Sequence, residues 1–390
     1  METKSLIKRA ADKGIFLDSI RKLYSGIAKG DIVGDFTVPA FNLRTLTFDT
    51  ACAIFRAAKK AKAGTFLIEI ARSEMEYTNQ TPREFADAVL LAAIEEKWQG
   101  PIFLQGDHFS LKSNEPPETL ALETLIKEAI GAGFYNIDID CSKLVDLNKQ
   151  TITEQQNDNV KQTAKFISQI RRIQPKNISI SIGGEVDKIG GGDTTIEELI
   201  VFLDGLKNEL RPLGDLEGII KVACQMGTTH GGKVLASGDI EPVQIDFAKL
   251  KELSRVAKKH GLAGIVQHGA STLPDDYFSK FAKAGVCEVH LSTEFQNIVL
   301  DSQAFPKELK DKIYNWLKEK FSAERKKYET DEQFLYKVRK KALGPFKKEI
   351  TELPEKTINK ICQELENKFV FFFKQLRVSN TQTLIKKMYG

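Results

Sequence analysis

Little in this chain of 390 residues points to secretion, a membrane or nucleic acid. It has five cysteines, Cys52, Cys141, Cys224, Cys287 and Cys362, an odd number scattered without a C-x-x-C pair. That usage argues against a disulfide framework and for a reducing compartment, so a cytoplasmic protein is expected. Several of these cysteines lie in or beside strand-like runs, where Cys behaves as a small buried apolar residue. No run approaches the ~20 apolar residues of a membrane span, and the N-terminus METKSLIKRAADKGIF lacks the apolar centre of a secretion signal. Charge of one sign is missing too. Lys and Arg number 57 against 53 Asp and Glu, and the resulting +4 is too small an excess to suggest nucleic acid. The remaining composition, 42% hydrophobic and 28% charged, is that of a globular protein. The length suits one large α/β domain with an appendage.

Histidine is as scarce as cysteine, and its placement is the most informative feature of the chain. Of five histidines, His108 follows PIFLQGD, His230 follows IIKVACQMGTT, His268 follows GLAGIVQ and His290 closes GVCEVH. Only His260 lies in a Lys-rich helical stretch. Residues from different strands converge only at the end of a barrel or sheet. His108, His230 and His268 therefore read as the ligand set of one divalent ion. Three imidazoles suit Zn²⁺ and related ions and leave positions open for a substrate.

Eight short apolar runs read as strands: DFTVPAF (35–41), TFLIEIA (65–71), PIFLQG (101–106), YNIDID (135–140), ISISIGGE (178–185), IIKVACQ (219–225), AGIVQ (263–267) and VCEVHL (286–291). Helical patterns separate them. In VKQTAKFISQIRRI, Val160, Ala164, Ile167 and Ile170 share one face. Pro82 and Asp275 stand near helix starts. The repeated βα alternation, with continuous apolar strands, predicts an α/β fold of the (β/α)8 TIM-barrel type with a C-terminal helical extension. The divisions expected are an N-terminal helical segment over 1–34, the barrel over 35–304 and the extension over 305–390. The extension is rich in Lys and Glu, breaks at Gly344–Pro345 and resumes after Pro354 with Ile358, Ile361, Leu365 and FVFFF (369–373). Five consecutive apolar residues exceed one helix face, so burial against the barrel or a partner subunit is expected.

Polar residues collect where the runs end. Asn42 follows the first, Asp107 and His108 the third, Asp140 ends the fourth, Glu185 ends the fifth, His230 and His268 follow the sixth and seventh, and His290 lies in the eighth. In a barrel these ends form one ring, where active sites sit. Any single member is as readily a satisfied core group, but the recurrence around the ring is hard to reach by chance. Asp140 and Glu185 can hold outer hydrogen bonds or a second metal position. Asp107, beside a proposed ligand, suits general acid/base work, with a turn or cap as the bland alternative. The loop EVDKIGGGDTT (185–195) carries Gly190, Gly191 and Gly192 with the acids Asp187 and Asp193, and reads as a lid or a plain surface turn. HGGKV offers Gly231 with Lys233, HGAST offers Gly269 and Ser271, and LSTE offers Ser292 and Thr293. Amides and hydroxyls after the seventh and eighth strands form the usual phosphate site of a barrel.

In this order the motifs resemble the class II, metal-dependent ketose-bisphosphate aldolases, which include the fructose- and tagatose-bisphosphate enzymes. The similarity runs from FTVPAFN (36–42) to HLSTEFQ (290–296) and rests on QGDHF, DIDCS, GGEVDKIGGGD, GTTHGGK and QHGAS. The resemblance implies Zn²⁺, or Mn²⁺ or Co²⁺ in its place, on His108, His230 and His268, with Asp140 and Glu185 lining a secondary metal position. It makes Asp107 the acid/base at the substrate C4 oxygen and puts the loop acid on Asp193, where the family usually has Glu. Gly227, Lys233, Gly269 and Ser271 map around a monovalent cation and the ketose phosphate, and Asn42, Gly231, His290, Ser292 and Thr293 complete the expected substrate contacts. A homo-oligomer, dimer or tetramer, acting on a small sugar phosphate is implied as well.

Some positions depart from the family. Ala270 replaces a Gly, His290 and Ser292 replace Asn and Asp, and Ala71 replaces a Ser. These changes fall on phosphate and substrate contacts and leave the metal set intact. LIEIARSEMEYTNQTPREF and FLQGDHF also resemble the companion subunit of tagatose-bisphosphate aldolase, a non-catalytic partner or sugar-phosphate epimerase, and the long tail leans the same way. The leading function is therefore an aldolase that cleaves a ketose (bis)phosphate, such as fructose or tagatose 1,6-bisphosphate, to dihydroxyacetone phosphate and an aldehyde. A 4-epimerase of a ketose phosphate or ketose acid would reuse the same retro-aldol step. A companion subunit is the third reading, and the complete three-histidine set speaks against it.

Overall fold

The computed structural model describes the chain except residues 1–2, 188–191, 215, 229–234, 236–240 and 242. Eight strands form the barrel: β1 (Val38–Asn42), β2 (Leu67–Ala71), β3 (Leu104–Ser110), β4 (Asn136–Asp140), β5 (Ser181–Glu185), β6 (Lys221–Ala223), β7 (Ile265–Gln267) and β8 (Glu288–Leu291). Each pairs in parallel with its neighbours in chain order, and β8 closes onto β1 with His290 opposite Ala40. Parallel strands need crossovers, and helices such as Thr47–Ala61, Pro116–Ala132 and Ile152–Ile173 supply them. Ile68 and Ile70 alternate with Glu69, yet all are fully buried, because helices cover one face of the sheet and the barrel interior the other.

All eight expected strands form, with ends differing by a few residues. The run PIFLQG divides. Gly100–Ile102 leaves the barrel to pair with Ile15–Leu17, and β3 starts at Leu104. The N-terminal segment is thus two helices, Thr3–Ala11 and Arg21–Lys29, with a strand between them. Tyr24, on the second of these helices, reaches the barrel interior and hydrogen-bonds Glu288.

The tail is part of the helical layer. Its long helix, Glu355–Gln375, packs along Thr47–Ala61, with Arg56 paired to Glu366 at 2.7 Å. Within FVFFF the buried residues are Phe369, Phe372 and Phe373, which share one face at i, i+3 and i+4. Phe369 lies 4.9 Å from Phe41 and 4.7 Å from Phe295, and Phe373 lies 5.5 Å from Phe66. The contacts with Phe41 and Phe66 are edge-to-face, which adds to simple burial. The last helix, Gln382–Tyr389, returns to the N-terminal segment, where the Tyr389 hydroxyl donates to the Ser19 carbonyl at 3.0 Å.

A core cavity at Phe369 should be expensive. Phe369→Ala is expected to lower unfolding free energy by about 3–5 kcal/mol, whereas Phe371→Ala, at a half-buried position, should cost less than half as much. Chemical denaturation measures both; a loss under ~1 kcal/mol for Phe369→Ala would mean that the tail is not part of the barrel's core.

Candidate active site

The site begins with an irregularity in β3. Pairing with β4 runs through Gln105–Asn136 and Gly106–Ile137, slips, and resumes at Phe109–Ile139. Asp107 and His108 therefore stand against Asp138 alone, which is a β-bulge. His108 adopts φ of +40°, a left-handed conformation that costs about 1–3 kcal/mol and tends to occur at functional sites. Gly106 is required here, since a Cβ would lie 2.4 Å from the Phe109 ring. In a regular strand, side chains alternate; the bulge sends Asp107 and His108 to the same cavity. The sequence suggested that both lie beyond the strand, whereas they lie within it.

Around His108 the donors converge. Its Nδ1 is 2.8 Å from Glu185 Oε2 and 3.4 Å from Asp140 Oδ2. Its ring lies 4.2 Å, centroid to centroid, from that of His268. Ligand atoms of Asp107, His108 and His268 lie within 4.8 Å of one another, as do those of His108, Asp140 and Glu185. Mixed imidazole and carboxylate donors, nearly all buried, suit a divalent ion. Burial and the Asp140 charge push the Glu185 carboxyl up to about 7. Asp140 is held well below the usual range despite its burial, by His108 and by the hydroxyls of Ser110 and Ser142. His230, Gly231 and Lys233 lie outside the described residues, as do Gly190 and Gly191 of the loop.

Beneath this cluster the barrel interior is charged. Lys221, fully buried, donates to Asp138 Oδ2 at 2.9 Å and Gln105 Oε1 at 2.7 Å, and pairs with Glu288 Oε1. Gln105 Nε2 links Glu69 and Glu288, each at 2.8 Å. His290 joins this network to the cavity, its Nε2 lying 2.6 Å from Glu288 Oε1 and its Nδ1 3.0 Å from Asp107 Oδ1 and 3.3 Å from Glu69 Oε1. Burial lowers the imidazole, but the neighbouring Glu69 and Asp107 carboxyls outweigh it and raise it well above its usual value, while burial in turn raises Glu69. Likewise Lys221 and His290 overcome burial and hold the Glu288 carboxyl at about 2. His290 was expected as a substrate contact. It does line the cavity, but both ring nitrogens are already engaged by carboxylates.

The cavity, about 280 Å³, is lined by Asp107, His108, Asp140, His268, Gly269, His290 and Ser292, with Arg44, Lys143 and Lys340 also in its wall. Lys340 comes from the tail, next to Arg339, which is anchored on Asp301 at 2.8 Å. Asn42 and Thr293 are not among the lining residues. The Asn42 amide donates to Glu74 at 2.6 Å, and the Thr293 hydroxyl accepts from Arg44 at 3.3 Å. Ser271 is buried behind Gly269, which takes φ of +64°. Gly227 also has a positive φ, +66°. Asp193 is exposed, 3.7 Å from Lys249, and apart from the cavity wall. Asp187 is largely buried, which raises its carboxyl to about 6.

Sequence reasoning missed Tyr24, Glu69, Gln105, Asp138, Lys221, Glu288 and Lys340. Four of these carried a signal: in IEI, IDI, IKV and CEV a charged residue interrupts a buried run at an inward position. Replacing Lys221 with Met would take the lysine away from Glu288 and Asp138 and leave His290 as the cation beside them. The expected loss of stability is about 3–5 kcal/mol, as for breaking other buried pairs. An unfolding curve that matches wild type would contradict the role given to this lysine.

Comparisons with known proteins agree in direction. A sequence model of the fructose-bisphosphate aldolase class-II family matches residues 29–364. The structure resembles a fructose-bisphosphate aldolase of Campylobacter jejuni at 16% identity, over 94% of this chain and 97% of that one, with a TM-score of 0.57. It also resembles a Sinorhizobium meliloti protein described as a probable tagatose 6 phosphate kinase, at 17% identity, over 90% of this chain and 99% of that one, with a TM-score of 0.59. At these identities the likeness speaks for the fold.

Proposed function

The chain belongs to the class II fructose-bisphosphate aldolase family, and from that membership we propose that it cleaves and re-forms a ketose 1,6-bisphosphate with the help of a divalent metal ion. The observation that carries this reading is the bulge in β3, which sets an acid/base candidate, Asp107, beside a metal-ligand candidate, His108, in one cavity. His108 and His268, with His230, would hold the ion, and Asp140 and Glu185 would hold His108 or an alternative ion position. Bound there, Zn²⁺ or a similar ion supplies Lewis acidity at the substrate carbonyl.

The chain's own residues would do the rest. Asp107 accepts the proton of the C4 hydroxyl as the C3–C4 bond breaks. The C4 oxygen becomes an aldehyde carbonyl, and the bonding pair stays on the dihydroxyacetone phosphate half. In condensation Asp107 returns the proton. Arg44, Lys143 and Lys340 stand in the cavity wall among the acids Glu69, Glu74, Asp107 and Asp140; Arg44 is paired with Glu74 at 2.7 Å, and Lys143 and Lys340 are the candidate contacts for a substrate phosphate. Gly269 and Ser292 are candidate phosphate contacts. Asp193 is the candidate proton donor to C3, and to act it would have to leave Lys249 for the cavity.

Product analysis tests the reading. Metal-loaded protein given fructose or tagatose 1,6-bisphosphate should release triose phosphates. Formation of the C4 epimer without triose release would assign a retro-aldol epimerase instead, and no conversion at all would favour the companion-subunit reading.

Two further outcomes are expected. The protein should bind about one divalent ion per chain, and chelation or His268→Ala should remove ion and activity together. Metal analysis showing full occupancy in His268→Ala would displace that ligand. Asp107→Asn should keep the ion and lose about 10²–10⁴-fold in turnover, the range of an acid/base group. If ion and rate are lost together, Asp107 is instead a ligand.

A further inference from the structure

We propose that His290 is the positioning residue for Asp107, holding the acid/base carboxylate in register through a hydrogen-bonded file anchored deep in the barrel. The role rests on the reading of Asp107 as the acid/base. Tyr24 donates to Glu288 Oε2. Glu288 Oε1 meets Lys221 and, at 2.6 Å, His290 Nε2. His290 Nδ1 then reaches Asp107 Oδ1 at 3.0 Å. Tyr24, Lys221 and Glu288 are fully buried, and His290 and Asp107 are 4% and 5% exposed.

Carboxylate oxygens accept hydrogen bonds, so both ring nitrogens of His290 donate. A ring flip would break both contacts at once. Glu69, 3.3 Å from the same Nδ1, steadies the ring from the side of β2. Among the described residues, His290 is the hydrogen-bond donor to the Asp107 carboxylate. Asp107 Oδ1 is therefore fixed, and Oδ2 is left for the substrate. The bulge gives Asp107 an irregular backbone, so its carboxylate needs such a tether more than a residue in a regular strand would. Lys221, Glu288 and Asp138 are already joined to one another without His290; the link from His290 runs on from that group to the cavity.

Two near-isosteres separate the two links. Asn carries its amide close to the position of Nδ1, and Gln carries its amide close to Nε2. In the Zn²⁺-loaded full-length chain, cleavage is followed on whichever of fructose and tagatose 1,6-bisphosphate the wild type turns over. His290→Gln, which keeps the Glu288 link and loses Asp107, should lower kcat by about 10²-fold, the scale of a misplacement of about 1 Å. KM should stay within about threefold and bound metal should be unchanged. His290→Asn, which restores a donor to Asp107, should recover at least about tenfold of the loss seen in His290→Ala. In an Asp107→Asn background, His290→Gln should have no further effect.

A His290→Gln enzyme as fast as wild type, or His290→Asn no better than His290→Ala, would overturn the positioning role. An additional large loss in the Asp107→Asn background would do the same, since His290 would then act by another route. If His290→Ala fails to fold, His290→Gln takes its place as the reference: His290→Asn, which keeps the Asp107 link, should turn over at least about tenfold faster than His290→Gln, and equal rates would overturn the role. If Asp107→Asn turns over like wild type, the acid/base reading itself falls and the positioning role with it. If Asp107→Asn is inactive while His290→Gln is not, only the positioning role falls.

Discussion

Lys221 carries a positive charge into the middle of a closed barrel, and the interior is arranged around it. An unpaired buried ammonium would be very costly, and here Asp138 from β4, Glu288 from β8 and the Gln105 carbonyl oxygen from β3 surround it. These contacts cross the barrel, so they tie together strands that share no ladder. They also leave more carboxylates than one lysine can balance. His290 supplies the second cation, and in doing so it links the interior to the cavity. The polar interior and the site above it form one electrostatic unit.

Two further constraints shape the mouth. The bulge in β3 doubles the side chains that one strand delivers, at the cost of a strained His108. The tail then closes one side. Phe369, Phe372 and Phe373 seat its long helix on the barrel, Arg339 holds a short turn against Asp301, and Lys340 from that turn enters the cavity wall. A segment that resembles an appendage in composition is therefore joined to both the core and the site.

Much of this was legible in the sequence, and the reasons differ by element. Barrel strands announce themselves because strands buried on both faces are continuously apolar, as in TFLIEIA and AGIVQ. Their ends announce the site because Asp, Glu and His there interrupt that pattern. The bulge was not legible: QGDHF has no residue signature for a register slip, which is a property of pairing with β4. Glu69, Asp138, Lys221 and Glu288 were overlooked because each sits between apolar neighbours, and such runs read as plain core. Their alternation with outward-facing residues was the available clue. The FVFFF run was expected to be buried, and three of its five residues are, because a helix offers one contiguous face at i, i+3 and i+4.

The proposed chemistry depends on a divalent ion held above the charged interior, beside the bulged strand. Anomalous diffraction at the zinc edge, from crystals of the Zn²⁺-loaded protein, locates that ion directly. The predicted result is a single strong peak between the rings of His108 and His268, at ~2.0–2.1 Å from a nitrogen of each. A peak lower in the barrel, among Glu69, Glu288 and His290, or no peak on the His108–His268 pair, would contradict it.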